Sequence, residues 1–250
     1  METETQNSGL EDRGGSEPPQ APLVTPQQQR GDRLLAILAL AGIVGPFLFV
    51  ITFTLLGFLR TGYSHVADTI SLLAEPGAWT APYQTANFVV LGLLTVAFAL
   101  ALHRGVGGGR GSRLGPVLIA LFGLVGLIGS AAFPCDPGCE AVTTTGRLHE
   151  AASGIGFLCF ILGLFVVRRR LQQEAVWRPL APYTLVTGAV ATVLLVAFGA
   201  VVSGAVEALQ PWAGLFQRLF VLSVLQWMVV MGLRLRRLAG AAHRSPFAQT

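Results

Sequence analysis

The sequence predicts an all-α membrane protein, a bundle of six transmembrane helices with both termini in the cytoplasm. Of its 250 residues, 52% are hydrophobic and only 12% are charged, whereas a soluble domain has about 25% charged residues. Six apolar runs follow one another along the chain, and arginines concentrate in alternate gaps between them. A chain so poor in charge cannot cover itself against water, so its predicted surroundings are the lipid bilayer.

Four of the six runs are long enough to span without help, since a helix needs roughly 20 apolar residues to cross about 30 Å of hydrocarbon. These uncharged stretches are Leu34–Leu59 with 26 residues, Pro76–Leu102 with 27, Leu114–Cys135 with 22 and Pro179–Val206 with 28. The other two, Ala151–Val167 and Leu219–Leu233, have 17 and 15 residues and are too short. We therefore expect the fourth span to begin near Arg147 and the sixth near Trp212, which takes charged residues into the membrane.

The predicted domain organisation is a transmembrane domain over residues 33–238 between two cytoplasmic tails. Residues 1–32 are rich in Gln, Pro, Glu, Ser and Gly, a composition typical of disorder. The second tail is 239–250. The first span is expected to be a retained anchor, because too few apolar residues precede the small residues at Ala39-Leu40-Ala41 for a cleaved signal peptide. The spans are predicted at about 34–59, 82–103, 114–134, 147–168, 180–206 and 212–234.

The arginines predict the orientation, since the chain contains no lysine and basic residues in short flanking loops stay cytoplasmic. Thirteen of the 17 basic residues flank the spans on one side, and Arg60, Arg147 and Arg218 belong to the other. Both termini are therefore placed in the cytoplasm, in the cell membrane. The basic pI near 9.5 is explained by this topology, so no nucleic-acid partner is predicted.

Unusual polar residues gather at the predicted outer end. In the first outer loop, Ser64, Asp68 and Ser71 recur at helical spacing, which predicts a short amphipathic helix over Ser64–Ala74. The candidate ligand-binding residues are His65, Asp68, Asn87, His149, Glu150 and Arg218. Cys135 and Cys139 flank Asp136-Pro137-Gly138, a type II turn signal, and we favour a disulfide between them over free thiols.

Arg218 is the sharpest of these candidates, because an intramembrane arginine is costly and is usually paired and directed inward. Gln226, eight residues later, is taken to share its face. The predicted ion-pair partner of Arg218 is Glu150, since both are drawn inside by short apolar runs. Glu207 is the second candidate, and snorkelling of the arginine to the headgroups is the open alternative.

Several short motifs of Leu34–Arg237 resemble those of a multi-pass bacterial membrane family called domain of unknown function 998. They are Ile70-Ser71 with Pro76, Asn87 with Gly92, Phe133-Pro134-Cys135-Asp136, Gly146-Arg147-Leu148-His149 and Gly214-Leu215-Phe216-Gln217-Arg218. The resemblance implies a six-helix bundle and no particular activity.

Three functions stay open at this point, and the sequence favours the first of them. The first is binding or transport of a lipid headgroup or small polar ligand at an outward-facing intramembrane site that includes Arg218. The second is a membrane-embedded hydrolase that uses His65, Asp68, His149 and Glu150, with Ser64 or Ser71 as nucleophile. The third is a structural or regulatory subunit in which the polar groups satisfy one another. The sequence leaves open whether the protein is an enzyme and what its oligomeric state is.

The histidines limit any metal site. Of four, His103 and His243 are predicted to be cytoplasmic, so a three-histidine zinc centre is excluded and only a site of two histidines and a carboxylate remains. We assign no metal and no other cofactor.

Overall fold

The computed structural model describes residues 26–106 and 113–244, which fold into helices and connecting turns without a strand. Its α-helices are α1 (Pro26–Leu59), α2 (Ala81–Gly105), α3 (Leu114–Leu121), α4 (Gly129–Ala132), α5 (Thr144–Leu171), α6 (Ala181–Val202) and α7 (Ala213–Arg244). A π-helical segment, Phe122–Ile128, joins α3 to α4. Within these ranges, six helical segments are long and apolar enough to cross a membrane. The all-α, multi-pass prediction is thus confirmed.

The two spans with short apolar runs take in charged residues, as their length required. Helix α5 begins at Thr144, three residues before Arg147, and α7 begins at Ala213, five residues before Arg218. The start of α5 is capped by Thr143, whose side chain accepts a hydrogen bond from the Gly146 amide.

The helices pack around an aromatic core. Helix α7 lies between α1 and α6, α2 packs on α1, and α5 packs between α3 and α6. Trp227 of α7 is fully buried, with Phe98 of α2 and Phe160 of α5 edge-on to its ring at 6.0 and 5.9 Å. The indole Nε1 donates to Oγ1 of Thr184 at 3.0 Å, which satisfies its polar atom.

Close helix contacts occur at glycines of the third span. A Cβ on Gly123 would lie 2.6 Å from the carbonyl oxygen of Gly92, and one on Gly156 would lie 2.3 Å from Cα of Gly126. These small residues pack one helix of the chain against another. Gly204, near the end of the fifth span, does not make such a contact. That residue has φ of 76° and lies in a turn, after α6 has ended at Val202.

Three connections, residues 60–80, 133–143 and 203–212, meet at one end of the bundle, which we name the polar end. The first does not form the predicted amphipathic helix. The backbone turns through 64–69, and only Ile70–Ala74 is helical, as a 3₁₀ segment. The cause is local: the Asp68 carboxylate accepts from the Ser64 amide at 2.7 Å, and Ser64 Oγ accepts from the Val66 and Ala67 amides. Such side-chain bonds compete with a helix.

Candidate functional site

The first connection is held against the start of α7 by backbone hydrogen bonds. The amides of Gly214 and Leu215 donate to the carbonyls of Ala67 and Val66 at 3.1 and 2.9 Å. Amides in the first turn of a helix have no partner within it, so the loop satisfies them. A Cβ on Gly214 would lie 2.2 Å from the carbonyl oxygen of Asp68, so only glycine permits this approach.

The Arg218 side chain completes this attachment from inside the bundle. Its Nη1 donates to the carbonyl of Asp68 at 2.7 Å and to that of Gly214 at 3.0 Å, and its Nη2 donates to the hydroxyl of Tyr63. The guanidinium lies over the rings of Phe53 and Tyr63, 5.7 and 5.6 Å from their centroids. With 7% of its surface exposed, Arg218 is buried and bound to the loop.

The predicted ion pair of Arg218 with Glu150 is wrong. Glu150 and the second candidate, Glu207, are both exposed, and the two ion pairs found among the described residues are Arg60–Glu75 and Arg170–Glu174. Neutral oxygens take the place of a carboxylate because the loop carbonyl reaches the guanidinium directly. The prediction that Gln226 lies in the interior, on the face of Arg218, is also wrong, since its side chain is exposed.

A second cluster surrounds His149 in the first turns of α5. Nδ1 lies 2.8 Å from the carbonyl oxygen of Phe133 and 3.2 Å from that of Ser130, and Nε2 lies 3.1 Å from Oγ of Ser71. The Ser130 carbonyl is open to the ring because Pro134, four residues on, has no amide hydrogen.

These contacts fix the protonation of the imidazole. A carbonyl oxygen only accepts, so Nδ1 carries the hydrogen and Nε2 of the neutral ring accepts from the Ser71 hydroxyl. A serine hydroxyl that donates to a histidine whose other nitrogen is held in place is the arrangement of an activated nucleophile. His149 is buried and Ser71 is half-buried.

The connection before α5 is fixed by Asp136. Its carboxylate accepts from the Val142 and Thr143 amides at 2.9 and 2.7 Å, and from the Thr143 hydroxyl at 2.6 Å. The bonds from Thr143 hold the pKa of Asp136 below its usual value. A disulfide joins Cys135 and Cys139, whose Cα atoms are 4.9 Å apart, and Cys135 Sγ lies 3.5 Å from the carbonyl oxygen of Ser71.

His65 and Asn87, two further candidates, lie apart from the His149 cluster. The His65 ring packs on Phe58 and Tyr63, with centroids 4.6 and 5.5 Å away, and its Nε2 is buried without a partner. Burial, and then the charge of Arg218, lower the pKa of His65. Asn87 is buried in α2 and donates to the carbonyl of Phe49 at 3.2 Å. Each residue therefore has a packing role in its own place.

Beneath Ser71 lies a cavity of about 30 Å³, large enough for a water molecule. Aromatic and aliphatic side chains form most of its wall, with Ser71, Ser130, Ser153 and Gln217 as polar members. Oε1 of Gln217 accepts from the Ile70 amide at 2.6 Å. This bond sets the orientation of the amide and leaves Nε2 without a hydrogen bond among the described residues.

The sequence identified Ser71, His149 and Arg218, but it did not identify Tyr63, Gln217 or the Ser71–His149 contact. Gln217 carried a signal, since it precedes Arg218 in a short polar interruption of an apolar helix. Across the described residues, no three His, Cys, Asp or Glu side chains converge as a metal site would require.

Comparison with known proteins agrees with the resemblance seen in the motifs. The family model described as protein of unknown function (DUF998) matches residues 43–234, which include the whole polar end. No curated protein and no solved structure matches the chain. The chain therefore belongs to the DUF998 family.

Proposed function

We propose that this DUF998 protein is a membrane-embedded serine hydrolase, with Ser71 as the nucleophile and His149 as its general base. The observation that carries the proposal is the 3.1 Å contact of Ser71 Oγ with His149 Nε2, in a ring whose Nδ1 is bound to backbone carbonyls. This choice favours the hydrolase among the three functions left open by the sequence. The catalytic residues are then Ser71 and His149, and His65, Asp68 and Glu150 have no catalytic role.

The reaction follows from the direction of the hydrogen bonds. As Ser71 Oγ forms a bond to the carbonyl carbon of an ester, its proton passes to Nε2 of His149. The imidazolium then gives that proton to the leaving alcohol as the ester C–O bond breaks. Water, deprotonated by the same nitrogen, hydrolyses the acyl-serine. The Phe133 and Ser130 carbonyls keep Nδ1 protonated and stabilise the imidazolium, as a carboxylate does in a triad.

The surroundings of Ser71 support this chemistry. Gln217 lines the same cavity. Its Oε1 is bound to the Ile70 amide, so its Nε2 remains as a donor suited to a developing oxyanion. Most of the cavity wall is apolar. Ser71 lies at one end of the bundle, where ester groups of lipids reach the membrane surface. The substrate class is therefore an ester or another acyl compound at the membrane interface.

Binding of a polar ligand by Arg218, the first function expected from the sequence, has less support. Both terminal nitrogens of its guanidinium are occupied by oxygens of the chain. In this proposal a lipid headgroup or small polar molecule is the substrate that approaches Ser71, and Arg218 acts as a positioning residue that fixes the loop.

The same proposal includes an orientation. With thirteen arginines on the opposite side, the polar end faces out of the cell and both termini lie in the cytoplasm of a multi-pass cell-membrane protein. A disulfide at Cys135–Cys139 suits the oxidising side of the membrane.

A fluorophosphonate probe tests the proposal, because a serine activated by histidine displaces its fluoride and becomes phosphonylated. Purified protein in nanodiscs should be labelled at Ser71, as located by peptide mass spectrometry. Ser71→Ala should abolish labelling, and His149→Gln should slow it by about 10²-fold or more.

Ser153→Ala is the matched control. Ser153 lines the same cavity and contacts Ser130 Oγ at 2.8 Å without a histidine, so its removal should leave labelling unchanged. Equal labelling of the Ser71→Ala variant, or none of folded wild-type protein, would refute the hydrolase. A lipid that co-purifies stoichiometrically with unlabelled protein would favour the binding function.

A further inference from the structure

On a different face of the bundle, α1, α6 and α7 enclose an open groove of about 630 Å³. Its walls are Pro46, Phe47 and Val50 of α1 and Val190 and Leu194 of α6, and its floor is α7. The volume is in the range of small-molecule sites, about 300–1,000 Å³. All of its lining residues are apolar except Ser223 and Gln226.

The two polar residues differ in what their side chains bind. Oγ of Ser223 donates to the carbonyl of Phe220 at 2.6 Å, so it is satisfied within its own helix. The Gln226 carboxamide is exposed and makes no hydrogen bond to the described residues. It is therefore the one lining group with free donors and a free acceptor directed at whatever fills the groove.

The depth of Gln226 decides which occupants can satisfy it. It lies eight residues from Arg218 and eight from Arg234, about 12 Å along the helix from each. This places the amide well inside the hydrocarbon layer, which is about 30 Å thick. Water does not satisfy polar groups there. Phospholipid esters lie at the interface, and an acyl chain has no hydrogen-bonding group to offer.

We propose that this groove is a binding site for a lipid-soluble molecule with a carbonyl group at mid-membrane depth, such as a quinone, held by the Gln226 amide. Nε2 donates to the ligand carbonyl, while the apolar walls cover its ring and tail. A second copy of the chain fits less well. In a pair with two-fold symmetry the groove would be recessed on both chains, so the two Gln226 amides would face each other across a gap.

Saturation binding of tritiated decylubiquinone to protein in nanodiscs tests the site, with empty nanodiscs subtracted for partitioning into lipid. We expect one saturable site per chain. Gln226→Leu should weaken binding at least tenfold and should fold normally, because leucine suits a lipid-facing position. Leu222→Trp should also block binding, by filling the groove while the amide remains.

Two controls separate hydrogen bonding from simple partitioning. Ser223→Ala removes a groove hydroxyl that is already satisfied, so it should bind as wild type does. Decylbenzene has a ring and a tail but no carbonyl, and it should compete at least tenfold less well than unlabelled decylubiquinone.

Three results would overturn the site. They are absence of saturable binding to folded wild-type protein, equal binding by Gln226→Leu, and equal competition by decylbenzene. Efficient cross-linking of a second polypeptide through Leu222→Cys would also overturn it, since the groove would then be a protein interface. None of these results bears on labelling of Ser71, so the site and the hydrolase fail independently.

Discussion

Replacing Arg218 with methionine should destabilise the protein because it weakens the attachment of the first connection to α7. Methionine keeps much of the apolar stem and removes the hydrogen bonds to the Asp68 carbonyl and the Tyr63 hydroxyl. Hydrogen bonds to a charged group contribute about 1.5–3 kcal/mol each. Part of this is offset, because methionine no longer requires burial of a guanidinium whose Nε has no partner. We expect a net loss of about 2–4 kcal/mol in the free energy of unfolding.

A double-mutant cycle identifies the hydrogen-bond partner of Arg218. The structure predicts that Tyr63→Phe couples with Arg218→Met by about 1 kcal/mol, since the two side chains share a hydrogen bond. Glu150→Leu should change stability by less than about 0.5 kcal/mol, and its effect should add to that of Arg218→Met. Unfolding in mixed micelles, followed by tryptophan fluorescence, measures all six proteins: wild type, the three single variants and the two double variants that contain Arg218→Met.

Recovery by Glu150→Leu of much of the stability lost in Arg218→Met would refute the binding of Arg218 to neutral oxygens. That result would show an uncompensated charge relieved by removal of its partner, which is the behaviour of a buried ion pair. Additive effects of Tyr63→Phe and Arg218→Met would equally remove the proposed hydrogen bond.

Three further predictions concern the same end of the bundle and its orientation. Gly214→Ala should lower the melting temperature, because the added methyl group would meet the carbonyl of Asp68. Gly154→Ala is the control and should be neutral or stabilising, because its methyl group would meet open space. Equal effects of the two substitutions would contradict the close approach of the loop to Gly214. The pKa of His65 is lowered in the folded protein. The neutral His65 ring therefore contributes fully to the stability of the fold above the unfolded pKa near 6.5, and this stability is lost as pH falls. Wild type should therefore lose more stability between pH 7 and 5 than His65→Phe does, and parallel curves would refute this. Cysteines introduced between α2 and α3, or after Arg237, should react with an impermeant thiol reagent only in permeabilised cells; labelling of intact cells would reverse the orientation.

The helices could be predicted because hydrocarbon thickness sets their length. The short apolar runs required α5 to take in Arg147 and α7 to take in Arg218, and the structure has both. The partner of Arg218 could not be found in the same way. Acidic side chains can be compared by depth from the sequence, whereas backbone carbonyls are present at every residue and leave no signature.

The Gln226 error has a geometric cause. At 3.6 residues per turn, eight residues advance the helix about 80° beyond two full turns. The position aligned with Arg218 is Leu225, which is buried, and Gln226 is displaced toward the groove. The Ser71–His149 contact was beyond sequence reasoning for another reason. It joins residues 78 apart, and it depends on how Pro134 exposes a carbonyl at the end of the third span.

The attachment of the first connection to α7 has a consequence for biosynthesis. The bond between Arg218 and Asp68 joins residues 150 apart, and translation adds about 5–20 residues per second, so the loop exists for roughly 8–30 s before its anchor is made. His149 emerges within that interval, yet Gln217 and Arg218, which fix the backbone around Ser71, are still missing. The nascent chain is therefore expected to lack an ordered nucleophile until its last span has entered the membrane, and termination before α7 would leave the loop detached.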